Sequence, residues 1–326
     1  MVSLTHSALR QIVVGFGGVG LLSTEMLSAK RLPSESPAAS PYLIKSSCER
    51  PLSYQLLTIA PGEVARAIDK LHALEADAID LNMGCPAVAI GKFGGGARLM
   101  EHPDAVKEIV SEARKRTTLP LTAKIRLGAE LDGEKLKAFC TMLQDEGIDM
   151  IAVHARLKHE SFSRDPRWDQ IAFIKGVLTI PVIANGGIFT VQDAEQCLRM
   201  SGADGLMLGR GAIARPWLFA EIAREVYGCA IPEPGVSLPA VYARFIDHLN
   251  GFRPEHRLNR LKQFTKYFSK NFAFGHYLAT RVLSSASMDD ARERADAFFE
   301  RTGEMPVGSI VDDGEPAGLE EEGCPA

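Results

Sequence analysis

Short apolar strands alternate with amphipathic helices through the first 220 residues, which predicts a parallel α/β fold. Polar residues recur at or just after the ends of those strands (Glu25, Gln55, Asn82, Lys124, His154, Asn185 and Arg210), and this favours a closed TIM (β/α)8-type barrel. An open sheet would gather such residues at one switch point instead. After residue 236 the composition becomes helical and basic, which predicts a small all-helical domain behind the barrel. The expected division is a barrel over 1–228, a linker over 229–236, a helical domain over 237–302 and an acidic tail over 303–326.

The first element reads as a helix. Leu9, Ile12, Val13 and Phe16 fall at i, i+3, i+4 and i+7, the stripe of an amphipathic helix. The following "IVVGFGGVG" (12–20) spells G-x-G-x-x-G, but a dinucleotide fingerprint needs a strand before the glycines and a helix after them. Here the order is reversed, and no strand-end acid follows near residue 40, so the glycines are read as a helix stop. Strands are expected at 20–26, 53–57, 78–82, 121–125, 150–154, 181–185 and 205–209. Helices are expected at 63–75, 103–116, 134–147 and 190–201, with His102-Pro103-Asp104 and Thr190 as start signals. Seven strands are found where a barrel needs eight, and the missing one would precede the first helix. The expectation is that the native start lies upstream of Met1.

Composition narrows the class. Hydrophobic content of 46% and charged content of 24% suit a globular protein with a sizeable core. No apolar run approaches the ~18 residues of a membrane span. The opening residues lack the basic and apolar regions of a signal peptide. Six scattered cysteines, none at C-x-x-C spacing, suggest neither a disulfide framework nor a metal site, so a reducing cytoplasm is expected; separately, the chain is expected to be a monomer. The tail holds seven acids and no Lys or Arg; without it the chain has 37 basic and 34 acidic residues, a net of +3. By composition the tail reads as disordered. Between 253 and 281 seven Lys/Arg stand against one acid, with Phe264, Tyr267, Phe268, Phe272, Phe274 and Tyr277 interleaved. A net of +6 in 29 residues points to a polyanion partner.

Chemistry concentrates in "DLNMGCPAVAIGKFGGGARLM" (80–100). Cys85 follows a strand and a glycine and precedes a proline, which puts it on a turn at the barrel mouth beside Asn82. Gly94, Gly95 and Gly96 let backbone approach a ligand closely. "IPVIANGGIFT" (180–190) and "GADGLMLGRGAIARPWLF" (202–219) each end a strand in a glycine-rich turn that leads to a helix. On the last two strands of a barrel this is a phosphate-binding arrangement, and Arg210 can add a charge-assisted contact. Lys124 in "KIRLG" points inward by alternation, which is costly unless it meets an anion or an electron-rich ring. His154 in "AVHAR" stands at a strand end beside Arg156.

"DLNMGCP", "KIRLG", "VHAR", "ANGGI" and "GLMLGRGA…RPWLF", in this order, resemble the tRNA-dihydrouridine synthase family from about residue 4 to near 300. The resemblance implies an FMN-containing barrel joined to a helical tRNA-binding domain, with NADPH reducing the flavin. Carried over residue by residue, it implies Cys85 as general acid to C5 of a uracil that receives hydride at C6. Lys124 would lie near the N1–C2 edge of the flavin, and Gln55 would bond its polar rim. Asn185, Gly186, Gly187, Gly209 and Arg210 match phosphate-binding loops. Asn82, Arg126, His154 and Arg156 match positions near flavin and substrate, and the basic Arg260, Lys262 and Lys266 would hold tRNA.

Two departures stand out. Met1 falls on the methionine of the family's Ala-Pro-Met element, and "LKQFTKYFSKN" (261–271) keeps only part of a basic-His-x-x-Trp-Tyr segment. The tail is unmatched. Two rival readings follow from these residues. One is an FMN barrel dehydrogenase acting on a free pyrimidine or similar small molecule, which would not need the basic helices. The other is a non-catalytic RNA-binding relative that has lost flavin binding through its shortened start.

Overall fold

The computed structural model describes Met1 and residues 3–302; the acidic tail expected at 303–326 lies outside the described residues. The chain enters as α1 (Ser7–Phe16), continues as β1 (Leu22–Ser28) and β2 (Leu52–Leu57), and then alternates. The order is α2 (Pro61–Ala73), β3 (Ala78–Met83), α3 (Val88–Lys92), α4 (Pro103–Arg116), β4 (Leu121–Arg126), α5 (Gly133–Asp145) and β5 (Met150–His154). Then come α6 (Trp168–Lys175), β6 (Val182–Asn185), α7 (Val191–Ser201), β7 (Gly205–Met207), α8 (Arg210–Ala214) and α9 (Leu218–Glu225). The helical region holds α10 (Leu238–Leu249), α11 (Arg257–Phe268), α12 (Gly275–Leu283) and α13 (Met288–Thr302).

All seven strands are parallel and pair in sequence order, β1 to β7. This is a (β/α) barrel left open between β1 and β7. Residues ahead of α1 stand in that gap: the Ser3 amide donates to Glu25 Oε1 at 2.5 Å on β1. Met1 Sδ lies 3.5 Å from where a Cβ on Gly209, just past β7, would sit. Glu25 is therefore not a strand-end residue of the mouth. It lies in the middle of β1, nearly fully buried, and burial raises its carboxyl above the usual range. β7 pairs with β6 alone and spans three residues; Leu208 and Gly209, expected in the strand, have already left it.

The helices follow from periodicity and caps. In α2, Val64, Ala67, Ile68 and Leu71 turn one stripe onto the sheet, and all four are buried. Each such Val, Ile or Leu contributes about 2 kcal/mol by leaving water. Thr190 and Asp193 form a capping box at α7, and Asp132 caps α5 through the Lys135 amide. Pro103 opens α4, although the His102 side chain makes no cap bond. The opening helix ends at Gly17, whose amide donates to the Val14 carbonyl and whose left-handed φ of 84° turns the chain out of the helix; Gly15 is still inside the helix.

The bundle α10–α13 is not a detached domain. Residues 229–236 carry neither helix nor strand. Yet His6 packs between Phe245 and Phe252, Trp217 packs edge-on to Phe16 and Phe268, and Asn271 Nδ2 donates to the Ala214 carbonyl at 2.6 Å. The interleaved aromatics divide between core and surface. Phe264 and Phe268, one turn apart, are buried and stacked with centroids 4.9 Å apart, and Phe245 stacks on Phe264 at 3.8 Å. Phe274 and Tyr277 remain exposed.

Candidate active site at the strand ends

Parallel register sets polar side chains of neighbouring strands side by side. Gln55 pairs with Asp80 and Asp80 with Thr122; one step further, Asn82 pairs with Lys124. At the strand ends Arg126 pairs with His154 and His154 with Asn185. Alternation then sends these residues to one side of the sheet while Leu81, Ala123, Ile125 and Val153 go to the other, beneath the helices.

The Cys85 turn hangs from this band by a continuous chain of hydrogen bonds. Thr122 Oγ1 donates to Asp80 Oδ1 at 2.5 Å, and Gln55 Nε2 donates to Asp80 Oδ2 at 2.7 Å. Asn82 Nδ2 donates to Gln55 Oε1 at 2.8 Å. Asn82 Oδ1 then accepts from the Cys85 and Gly84 amides at 3.0 and 3.3 Å, an Asx cap on the turn. The glycine run closes it from the far side: the Ala97 amide donates to the Cys85 carbonyl at 2.8 Å. Gly96, at φ 60°, passes so near that a Cβ would lie 2.5 Å from the Cys85 carbonyl oxygen. Arg126 clamps the same turn, with Nε donating to the Gly84 carbonyl at 3.0 Å and Nη1 to the Leu157 carbonyl at 2.9 Å.

Electrostatics at this rim are lopsided. Lys124 is pulled from 10.5 to about 7 by loss of water around its ammonium and by Arg126, against the opposing pull of Asp80. Burial, reinforced by Lys124, Arg126, Arg156 and Arg210, holds His154 far below its ordinary range, so its imidazole is neutral. Asp80 is pushed up by burial despite its two donors. Asp80 and Glu160 are the acids that offset this cluster of cations among the described residues.

The loop turns at β6 and β7 meet the same rim. Asn185 Nδ2 donates to the Met207 carbonyl at 2.7 Å and ties the two strand ends together. Gly186, at φ 108°, lies against His154, where a Cβ would come within 2.6 Å of the ring. The Gly186 carbonyl accepts from Trp168 Nε1 at 3.0 Å, and Gly187 is also left-handed at φ 75°. Gly209 precedes α8, which begins at Arg210. Arg210 joins through an aromatic that sequence reasoning missed: its guanidinium lies 4.4 Å over Phe162, and His154 stacks on that ring at 6.0 Å. Phe162 sits in the long loop after β5, where no periodicity marks it. Asp80 and Thr122 were also missed, although Asp80 stands two residues before Asn82 on the same strand face.

Other expected site residues have different surroundings. Arg156 is buried, and its guanidinium donates to the Phe162 and Arg164 carbonyls, so it shapes the loop over the site rather than facing solvent. Arg260 is a correction: it is 7% exposed, stacks 4.6 Å over Phe252 and donates to the His256 carbonyl. It lies in the seam between barrel and bundle near Glu25, because its place on α11 falls on the inward stripe beside Phe264. Lys262 is half-buried and donates to the Ser285 carbonyl at 2.7 Å; Lys266, also half-buried, lies 5.8 Å over Tyr267. A depression of about 500 Å³ between α2 and α4, lined by Pro61, Lys107 and Glu146 among others, is on the helical exterior and contains none of the site residues. Among the described residues there is no cluster of side chains suited to a metal ion, and no helix long and apolar enough to cross a membrane.

Comparison with known proteins bears on this geometry. The probable tRNA-dihydrouridine synthase 1 of Synechocystis sp. is 38% identical over 220 residues, 67% of this chain and 61% of that protein. The tRNA-dihydrouridine(16) synthase of Aquipseudomonas alcaligenes is 36% identical over 232 residues, 68% of this chain and 73% of that protein. The tRNA-dihydrouridine synthase B of Xanthomonas campestris pv. campestris is 38% identical over 200 residues, covering 61% and 60%. The chain thus spans about three fifths of the length of two of these three relatives. Among solved structures, a 2-naphthoyl-CoA reductase in complex with 2-naphthoyl-CoA shares the fold at a TM-score of 0.51 and 13% identity, covering 75% of this chain and 50% of that one. The model of the dihydrouridine synthase (Dus) family matches residues 1–277, from the opening residues into α12. Since that match takes in every strand and the whole Cys85 rim, the chain belongs to the dihydrouridine synthase family.

Proposed function

We propose that the protein reduces uridines of tRNA to 5,6-dihydrouridine, with FMN as cofactor, NADPH as the source of electrons and Cys85 as proton donor. One observation carries the reading: Cys85 is fixed on a capped turn at the strand ends of a parallel barrel, clamped by Arg126, which in turn neighbours Lys124 and neutral His154. The names of the relatives supply the substrate class.

The residues at the rim suit FMN. Gln55 and Asn82 each have a second amide N–H beyond the bonds described, fit to meet carbonyl oxygens of a planar heterocycle. The Gly186 and Gly187 turn, Gly209 and Arg210 would hold a phosphate, where left-handed glycines allow backbone to approach an anion. When bound, FMN would supply the hydride that uracil gains at C6.

The chain's own residues would do the rest. Hydride at C6 leaves negative charge over C5 and the C4 carbonyl, and the Cys85 thiol gives its proton to C5, so H⁻ and H⁺ add across the double bond. Lys124, placed among cations and near its own titration point, is held protonated by any anionic charge that forms beside it. Neutral His154 offers hydrogen bonding without adding to the positive charge. The target base must leave its stack to reach the rim. Lys262 and Lys266 on the bundle would hold the phosphate backbone.

The test is dihydrouridine mapping in tRNA from a strain lacking this gene and any redundant enzyme, complemented with wild type or with Cys85→Ala. Wild type should restore dihydrouridine, and Cys85→Ala should slow its formation by about 10²–10⁴-fold while the purified protein keeps an FMN spectrum. Dihydrouridine that is absent with wild type, or normal with Cys85→Ala, overturns the reading.

A further inference from the structure

The hydrogen-bond chain beneath Cys85 has a direction, and one residue sets it. Both Gln55 and Asn82 carry amides that could point either way, since each end can bond in either sense. Asp80 sets the sense, because both of its oxygens accept, one from Thr122 Oγ1 and the other from Gln55 Nε2. With the nitrogen of Gln55 committed to Asp80, its oxygen faces Asn82 and takes the Asn82 nitrogen. Only then does the Asn82 oxygen face the turn, where the Gly84 and Cys85 amides need an acceptor. We propose that Asp80 is a positioning residue which, through the amides of Gln55 and Asn82, fixes the turn that presents Cys85 and aims one free amide N–H from each at the bound heterocycle. The inference deepens the proposed function, since it concerns the thiol that function assigns as proton donor.

Asp80→Asn isolates this role because it keeps shape and removes the fixed direction. The carboxamide introduced at position 80 can now donate to Gln55, which reverses both amides and turns the Asn82 nitrogen onto two N–H donors. The cap is then lost and two amides of the turn are left without an acceptor. Exchanging the groups restores direction: in Asp80→Asn/Gln55→Glu the carboxylate sits at position 55, accepts from the amides at positions 80 and 82, and returns the Asn82 oxygen to the turn. That exchange also removes the free N–H at position 55, so the two consequences separate.

The readout is the rate of iodoacetamide alkylation of Cys85, followed on its own peptide by mass spectrometry in the full-length protein. It requires neither tRNA nor turnover, so its failure is distinguishable from failure of the proposed function. Asp80→Asn should change the rate by about tenfold or more, and the exchange should bring it back to within about threefold of wild type while FMN binding stays weaker than wild type. A general loss of structure would not be rescued by moving the charge to position 55. An unchanged rate in Asp80→Asn, or an exchange variant that behaves like Asp80→Asn, overturns the proposal. If Asp80→Asn does not accumulate as folded protein, the exchange variant decides alone: folded with the wild-type rate supports the proposal, unfolded or altered refutes it.

Discussion

Lys124→Met removes a charge that the fold holds at a loss. The Lys124 ammonium falls from 10.5 to about 7, chiefly because the barrel mouth strips its water and secondarily because Arg126 stands near, with Asp80 pulling the other way. That displacement corresponds to about 5 kcal/mol at about 1.4 kcal/mol per pH unit. Between the two values the unfolded chain keeps a proton that the folded protein has released. Stability from the neutral form is therefore complete above 10.5, declines as pH falls, and is gone below about 7. Urea unfolding at about pH 7, 8.5 and 10 should show wild type gaining about 3–5 kcal/mol relative to Lys124→Met across the series, with other titrating groups cancelling in the difference. A bound anion reverses the pull by favouring the ammonium, so FMN affinity of wild type should fall as pH rises above 7, and that of the variant should not. Parallel stability profiles for the two proteins would refute this account of Lys124.

Two substitutions probe the frame around the site. Gly96→Ala places a Cβ 2.5 Å from the Cys85 carbonyl oxygen at φ 60°. It should cost about 1–2 kcal/mol in backbone strain alone and displace the Cys85 turn, read as lower unfolding free energy together with altered alkylation of Cys85. Phe264→Ala opens the aromatic stack against Phe245 and Phe268, and should lower stability by about 3–5 kcal/mol in denaturant titration. A smaller loss would mean that the bundle repacks.

Much of the fold was legible because its signals are local. The stripe at Leu9, Ile12, Val13 and Phe16 gave the opening helix, Thr190 gave a cap, and all seven strands fell within a few residues of their expected places. Cys85, Asn82, Gln55, Lys124 and His154 came together because parallel register aligns strand ends, and strand ends are visible in a linear pattern. Where the expectation failed, side-chain phase or long-range packing had decided. Arg260 counted as one of seven basic residues, yet helical phase turned it inward beside Phe252, and the charge run is in part a set of carbonyl ligands: Arg253, Arg257 and Lys262 donate to Ala38, Phe252 and Ser285. Arg156, expected near flavin and substrate, also braces the loop that carries Phe162, a contact no local pattern shows.

By itself, then, the sequence determined the alternation of strand and helix, the family, and the residue types at the rim, all of which are written in spacings of a few positions. Tertiary structure alone decided which way the amides of Gln55 and Asn82 point, that Asp80 governs them, and that Lys124 titrates near 7. Those properties depend on burial and on partners about 25 to 45 residues apart in the chain. No local pattern records a hydrogen bond's direction or the water a side chain loses.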